Sequence, residues 1–90
     1  MEHTNVLVSC IITTYNRPKL VGRAIESVLG QSYSSIELII IDDHSNELYN
    51  EVKKLYSANG KVRFHRNAKN LGLSASRNEG IKLSNGKYVA

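Results

Sequence analysis

The chain has 90 residues, 41% hydrophobic and 22% charged, with one Pro, six Gly and one Cys. That is room for at most one small domain with a thin core; it excludes a disordered chain, a collagen-like repeat, a coiled coil, a disulfide framework and a Cys-rich zinc site. The net charge of +4 is split into −4 over residues 1–52 and +8 over residues 53–90, which leaves open a solvated face, an anionic partner such as phosphate or nucleic acid, or acidic neighbours beyond residue 90.

No apolar run reaches the ~18 residues of a membrane span. No signal peptide is visible, so the cytoplasm is the expected compartment. Val6 to Ile12 is a short apolar run rich in β-branched residues, and Ile36 to Ile41 is a second. Both suit strands buried on two faces of a parallel sheet. Between them Leu20, Val21, Ala24, Ile25, Val28 and Leu29 mark one face of a helix. Pro18 fits its first turn and Gly30 its stop. Leu48, Val52, Leu55 and Tyr56 predict a second helix closed by Asn59-Gly60, with Ser45 or Asn46 as N-cap. Val62 to His65 reads as an edge strand. Residues 74–84 form a third helix with a weak stripe through Ala75, Asn78 and Ile81, and Lys87 to Ala90 begins a fourth strand. The order β-α-β-α-β-α-β predicts an α/β three-layer sandwich with a Rossmann-like parallel sheet.

Ligands in such sheets bind beyond the C-terminal ends of the strands. Three stretches fall there: Thr13 to Asn16, Asp42 to Ser45, and Arg66 to Arg77. Asp42 and Asp43 end an apolar strand, where carboxylates are costly unless paired, hydrated or ligand-bound. Alternation points them different ways. One then braces the turn and the other faces the crevice, and a structural role for both stays open; a shared metal ion fits adjacent carboxylates poorly. Tyr15 can stack on a nucleobase, or it packs on the sheet edge while Asn16 caps the first helix. Gly72 permits close backbone approach, and the following helix N-terminus offers N–H donors beside Arg77. Neither G-x-G-x-x-G nor G-x-x-x-x-G-K-[ST] occurs. His3, His44 and His65 share no metal-ligand spacing, and Cys10 reads as an inert core thiol.

At these positions the chain resembles the family 2 glycosyltransferases of GT-A fold. Val8-Ser9-Cys10-Ile11-Ile12-Thr13-Thr14-Tyr15-Asn16-Arg17 is similar to that family's first strand. Ala24 to Tyr33 is similar to its first helix and exit, and Glu37 to Ser45 to its second strand and acidic turn. Asn70-Leu71-Gly72 with Ser76-Arg77-Asn78 and Gly80 matches its third segment, and Gly86 to Val89 its next strand. The resemblance spans nearly the whole chain. His44 stands where many relatives carry Gly, and Thr14 where many carry Pro or Ser.

The resemblance implies transfer of a sugar from a nucleotide-sugar donor, a UDP-sugar above all, to a saccharide or other hydroxyl acceptor with inversion. Thr13, Tyr15 and Asp43 would line the nucleoside pocket, with Asn70, Gly72 and Arg77 near the ribose or diphosphate. Asn16, Asp42 and Ser45 would shape the turn. The family's Asp-x-Asp motif, which holds Mg or Mn, and its catalytic base follow the strand that begins at Gly86. The chain is therefore expected to be the nucleotide-binding part of a longer enzyme, inactive alone, that works on cell-surface polysaccharide at the cytoplasmic face of a membrane. It is expected to bind no nucleic acid. Self-association through an exposed sheet edge or face is expected, since the last strand is short. Two other readings are a basic nucleic-acid-binding module and a receiver-type signalling module. The second is disfavoured because the acidic pair follows the second strand and the third ends in Arg66-Asn67.

Overall fold

A computed structural model of the chain describes residues 7–31, 35–45 and 49–86 and the backbone of 88–89. Seven elements follow in the expected order: β1 (Val8–Thr14), α1 (Pro18–Leu29), β2 (Ile36–Asp42), α2 (Asn50–Tyr56), β3 (Val62–Arg66), α3 (Leu73–Leu83) and β4 (Tyr88–Val89). The strands pair in parallel in the order β3-β2-β1-β4. β1 thus lies inside, between β2 and β4. Val6, His3, Tyr33, Asn46 and Leu48, which the sequence reading assigned, lie outside the described residues.

The apolar run of β2 is buried on both faces. Leu38, Ile39, Ile40 and Ile41 are each at most 1% exposed. Alternation divides them between two cores. Leu38 and Ile40 pack with Val21 and Ile25 of α1, Tyr49 ahead of α2, and Val62. Ile39 and Ile41 pack with Ile11 and, on the α3 side, Leu83. Each such side chain contributes about 1.5–3 kcal/mol. Helices on both faces make three layers.

Five local expectations are corrected. Thr13 and Thr14 belong to β1 rather than to the loop after it. Tyr49, not Ser45, occupies the N-cap position of α2, and it makes no side-chain cap bond; the Ser45 hydroxyl is committed to Asp42 instead. Leu55 points outward at 77% exposure, and the inward stripe is Tyr49, Val52 and Tyr56. On α3 the buried residues are Ser76 and Gly80, while Asn78 and Ile81 are exposed. The reason is close packing. A Cβ on Gly80 would lie 2.5 Å from the Ile11 Cγ2 methyl, so a small residue, not an apolar one, marks this helix's inner face. Asn16 likewise does not occupy the N-cap of α1, which is Arg17.

A polar lock closes the far end of the sheet. Ser9 Oγ donates to Glu37 Oε2 at 2.6 Å and accepts from the Gly86 amide at 2.8 Å. The Asn85 amide donates to the same Glu37 oxygen at 2.6 Å, and Arg63 approaches the other at 3.4 Å. The charge split seen along the sequence is thereby partly closed in space. Arg63 pairs with Glu37 and Arg66 with Asp42, each joining the basic half to the acidic half.

Candidate functional site

Register brings the site together. Thr14 lies opposite Asp42, and Asp42 opposite Arg66, so three adjacent strands end level. The backbone continues the ladder one step further: the Asp43 amide donates to Thr14 O at 2.9 Å and the Asn67 amide to Asp42 O at 2.8 Å. Tyr15, Asp43 and Asn67 therefore leave the sheet side by side, and period-2 alternation turns Asp42 to the α1–α2 face and Asp43 to the α3 face.

On the α1–α2 side, Asp42 Oδ1 accepts from the Ser45 amide at 3.0 Å and from its hydroxyl at 2.5 Å. Ser45 Oγ also accepts from the Asn16 amide at 2.8 Å. Asn16, Asp42 and Ser45 thus meet in one bonded turn. Tyr49 completes it: its hydroxyl bonds Thr14 Oγ1 at 2.7 Å and accepts from the Arg17 amide at 2.9 Å. Asn16 and His44 take left-handed conformations, with φ of 52° and 61°. The left-handed turn explains why Gly suits the position of His44. Here the imidazole Nδ1 meets Asn67 O at 3.1 Å.

On the α3 side, Asp43 is 6% exposed. Its Oδ1 accepts from the Leu71 amide at 2.7 Å and Asn67 Nδ2 at 2.9 Å, and its Oδ2 from the Gly72 amide at 2.9 Å. Asn70 Nδ2 reaches Asp43 O at 3.3 Å. Gly72 has a φ of 92°, a left-handed conformation that aims its N–H at the carboxylate and opens α3. Burial pushes the Asp43 carboxyl up, but donors at Leu71, Asn67, Gly72 and Ser76 outweigh it and hold the group below the ordinary carboxylate range.

A cleft of about 470 Å³ opens above these groups, lined by Thr13, Thr14, Tyr15, Asp43, Asn70, Gly72, Leu73 and Ser76. That volume lies within the roughly 300–1,000 Å³ of small-molecule sites. Of the sequence-predicted residues, Thr13, Tyr15, Asp43, Asn70 and Gly72 line it. Arg77 is exposed on α3 and is not part of its wall. Tyr15 is 45% exposed at the rim. Sequence reasoning missed Leu73, Ser76, Asn67 and Tyr49. Tyr49 was legible in the i, i+3, i+7 spacing with Val52 and Tyr56; Asn67 needed the register of β3 on β2.

Among the described residues no three His, Cys, Asp or Glu side chains gather as ligands, and Asp42 and Asp43 face opposite sides with oxygens already bonded. Cys10 packs against the first core, and burial pushes its thiol up.

Comparison with known proteins decides the family. The family model described as "Glycosyl transferase family 2" matches residues 9–90. The chain belongs to that family. It is 44% identical over 85 residues to the poly(ribitol-phosphate) beta-N-acetylglucosaminyltransferase TarP of Staphylococcus aureus (strain N315), covering 91% of this chain and 26% of that protein. It is 43% identical over 84 residues to an uncharacterized glycosyltransferase of Rickettsia bellii (strain RML369-C), covering 92% of this chain and 12% of the relative. In shape it matches the mannosyltransferase PcManGT from Pyrobaculum calidifontis, solved with GDP-Man and Mn2+, with a TM-score of 0.83 at 17% identity over 93% of this chain and 26% of that one. That likeness shows the GT-A type of fold. The chain thus spans between about an eighth and a third of the curated relatives it matches.

The family's acidic turn bears on acid stability. Burial raises the Glu37 carboxyl, yet donors at Asn85 and Ser9 and the Arg63 charge outweigh it, so Glu37, like Asp43, is held below its ordinary value. A depressed folded pKa gives stability that is fully present above the unfolded value and is lost as pH falls through the folded one. Urea midpoints are expected to hold steady down to about pH 5, then fall. In Glu37→Gln that fall should be shallower, from a lower plateau.

Proposed function

We propose that these residues form the donor-binding part of an inverting glycosyltransferase that uses a nucleotide sugar, a UDP-sugar above all. The single observation that carries this reading is the convergence of Thr13, Tyr15, Asp43, Asn70 and Gly72 on one cleft at the level ends of three parallel strands. Tyr15 would offer its ring to the base. The Asp43 side would supply acceptor oxygens, and the first turn of α3 beyond Gly72 backbone donors, toward the ribose and diphosphate. The GDP-Man and Mn2+ bound to the mannosyltransferase of like fold support a nucleotide-sugar donor and a metal. The name of the Staphylococcus aureus relative supports a polymeric acceptor and a place in cell-wall or polysaccharide synthesis.

The groups that hold the metal and deprotonate the acceptor would belong to the larger part of the relatives' length that these residues do not match, and these residues by themselves would bind nucleotide without turning it over. The longer protein would act at the cytoplasmic face of a membrane; among the described residues no helix is long and apolar enough to cross one. Among the described residues β4 pairs with Val8 and Ser9 of β1. The rest of that edge would pair with another copy, and light scattering at rising concentration should show dimers or larger species.

Tyr15→Ala tests the site with little risk to the fold, because the ring is 45% exposed. Stacking of a base on an aromatic ring is worth about 1–3 kcal/mol. UDP affinity by calorimetry is therefore expected to fall roughly 5- to 150-fold at an unchanged melting temperature. Equal affinity in wild type and variant would remove Tyr15 from the site.

A further inference from the structure

Asn67 is 2% exposed and sits at a junction of three elements. Its amide nitrogen donates to Asp43 Oδ1 and to Ser76 Oγ, both at 2.9 Å. Its backbone N–H donates to Asp42 O, and its carbonyl meets the His44 ring. Ser76, fully buried on α3, lines the cleft beside Asp43. Among the described residues Asn67 Oδ1 has no hydrogen-bond partner although it is buried. An unsatisfied buried acceptor is costly. Turning the amide over would be worse, since Oδ1 would then face the carboxylate. The ionised Asp43 dictates the orientation of Asn67, and Asn67 in return fixes where Asp43 aims its oxygens.

We infer that Asn67 and Ser76 are positioning residues of the cleft, a buried amide–hydroxyl pair that holds the Asp43 carboxylate in place for the nucleotide. This rests on the donor-site reading above. A carboxylate offers about four acceptor positions. Leu71, Gly72 and Asn67 fill three of them, and Ser76, bonded to Asn67, lines the same cleft as Asp43. The Ser76 hydroxyl accepts a hydrogen bond from Asn67 and keeps its own O–H to donate, so it can turn between Asp43 and an arriving ligand. Among the described residues, the ionisable groups around this cluster are otherwise engaged or at its rim. Asp42 is on the opposite face with Arg66, His44 bonds the Asn67 carbonyl, Tyr15 is at the cleft rim, and Glu79 on α3 pairs with Lys82.

The test follows the Asp43 carboxyl carbon by NMR across pH in the ligand-free chain, in wild type, Asn67→Ala and Ser76→Ala, alongside UDP titrations at neutral pH. Both variants are expected to move the Asp43 midpoint up toward the ordinary carboxylate range, Asn67→Ala further. UDP affinity should fall about tenfold to a hundredfold in Asn67→Ala, the loss of one hydrogen bond to a charged group. A lowered melting temperature with an unmoved Asp43 midpoint would overturn the inference and leave Asn67 a packing residue. Ser76→Ala removes one hydroxyl and keeps the measurement usable should Asn67→Ala not fold. If wild type binds no UDP or GDP, the donor-site reading fails, while the NMR midpoints still decide whether Asn67 and Ser76 position Asp43.

Discussion

Replacing Asp43 with Ala is expected to abolish measurable UDP binding and to destabilise the chain by about 3–5 kcal/mol. The carboxylate is 6% exposed and accepts from the Leu71 and Gly72 amides and from Asn67. Ala would leave the buried Asn67 amide and the part-buried Leu71 and Gly72 amides without that partner, each costing roughly 1–3 kcal/mol, with the buried one at the upper end. A domain of this size has only about 5–10 kcal/mol in total. Asp43→Asn is the milder change: its amide oxygen can still accept one of the amide bonds, but its NH₂ faces a second donor. Urea unfolding should therefore rank wild type above Asn above Ala. Calorimetry on folded Asp43→Asn should show UDP binding weakened at least tenfold. A variant as stable as wild type would mean that the Asn70–Gly72 turn is held by other contacts.

Gly86→Ala should be nearly as damaging, though it lies at the opposite end of the sheet. A Cβ there would fall 2.5 Å from Ser9 Oγ, 2.7 Å from Ser9 N and 2.9 Å from Leu7 O. Two of those atoms are backbone, one within β1 and one just ahead of it, so neither can step aside easily. The Gly86–Ser9 bond would break, and with it the path from Ser9 to Glu37. Overpacking and a lost buried bond together cost about 3 kcal/mol. In a chain this small that lowers the melting temperature by roughly 12–24 °C. Because Ser9 and Thr13 share a strand but not a neighbourhood, UDP affinity of the folded fraction should stay within about twofold of wild type, as distant sites do. A melting temperature within a few degrees of wild type would show that the lock contributes little.

The contrast between these two sites shows what the sequence could and could not carry. The strands and their order were legible, because β-branched runs and helical stripes are local signals. The divergence of Asp42 and Asp43 was legible too, because alternation along a strand needs no partner. Asn67 and Ser76 were not. One is a polar residue in a turn and the other a small residue in a helix, and only the register of β3 on β2 and the close seat of α3 bring them to Asp43. The inner face of α3 was misread for the same reason. Ser76 and Gly80 are selected by contact distance, which hydrophobic periodicity does not report. His44 could be flagged by the family's preference for Gly, and its φ of 61° supplies the physical cause.

The level ends of β1, β2 and β3 are proposed to form a nucleotide site. Titrating UDP into isotopically labelled chain and following the backbone amide signals tests it most directly. The expected result is saturable shifts confined to Thr13, Thr14, Tyr15, Asp43 and the Asn70–Ser76 segment, with or without Mn²⁺. Residues of the Ser9–Glu37–Gly86 lock should not move. Shifts that centre on that lock or on the α1–α2 face, or no shifts at millimolar UDP and GDP, would contradict it.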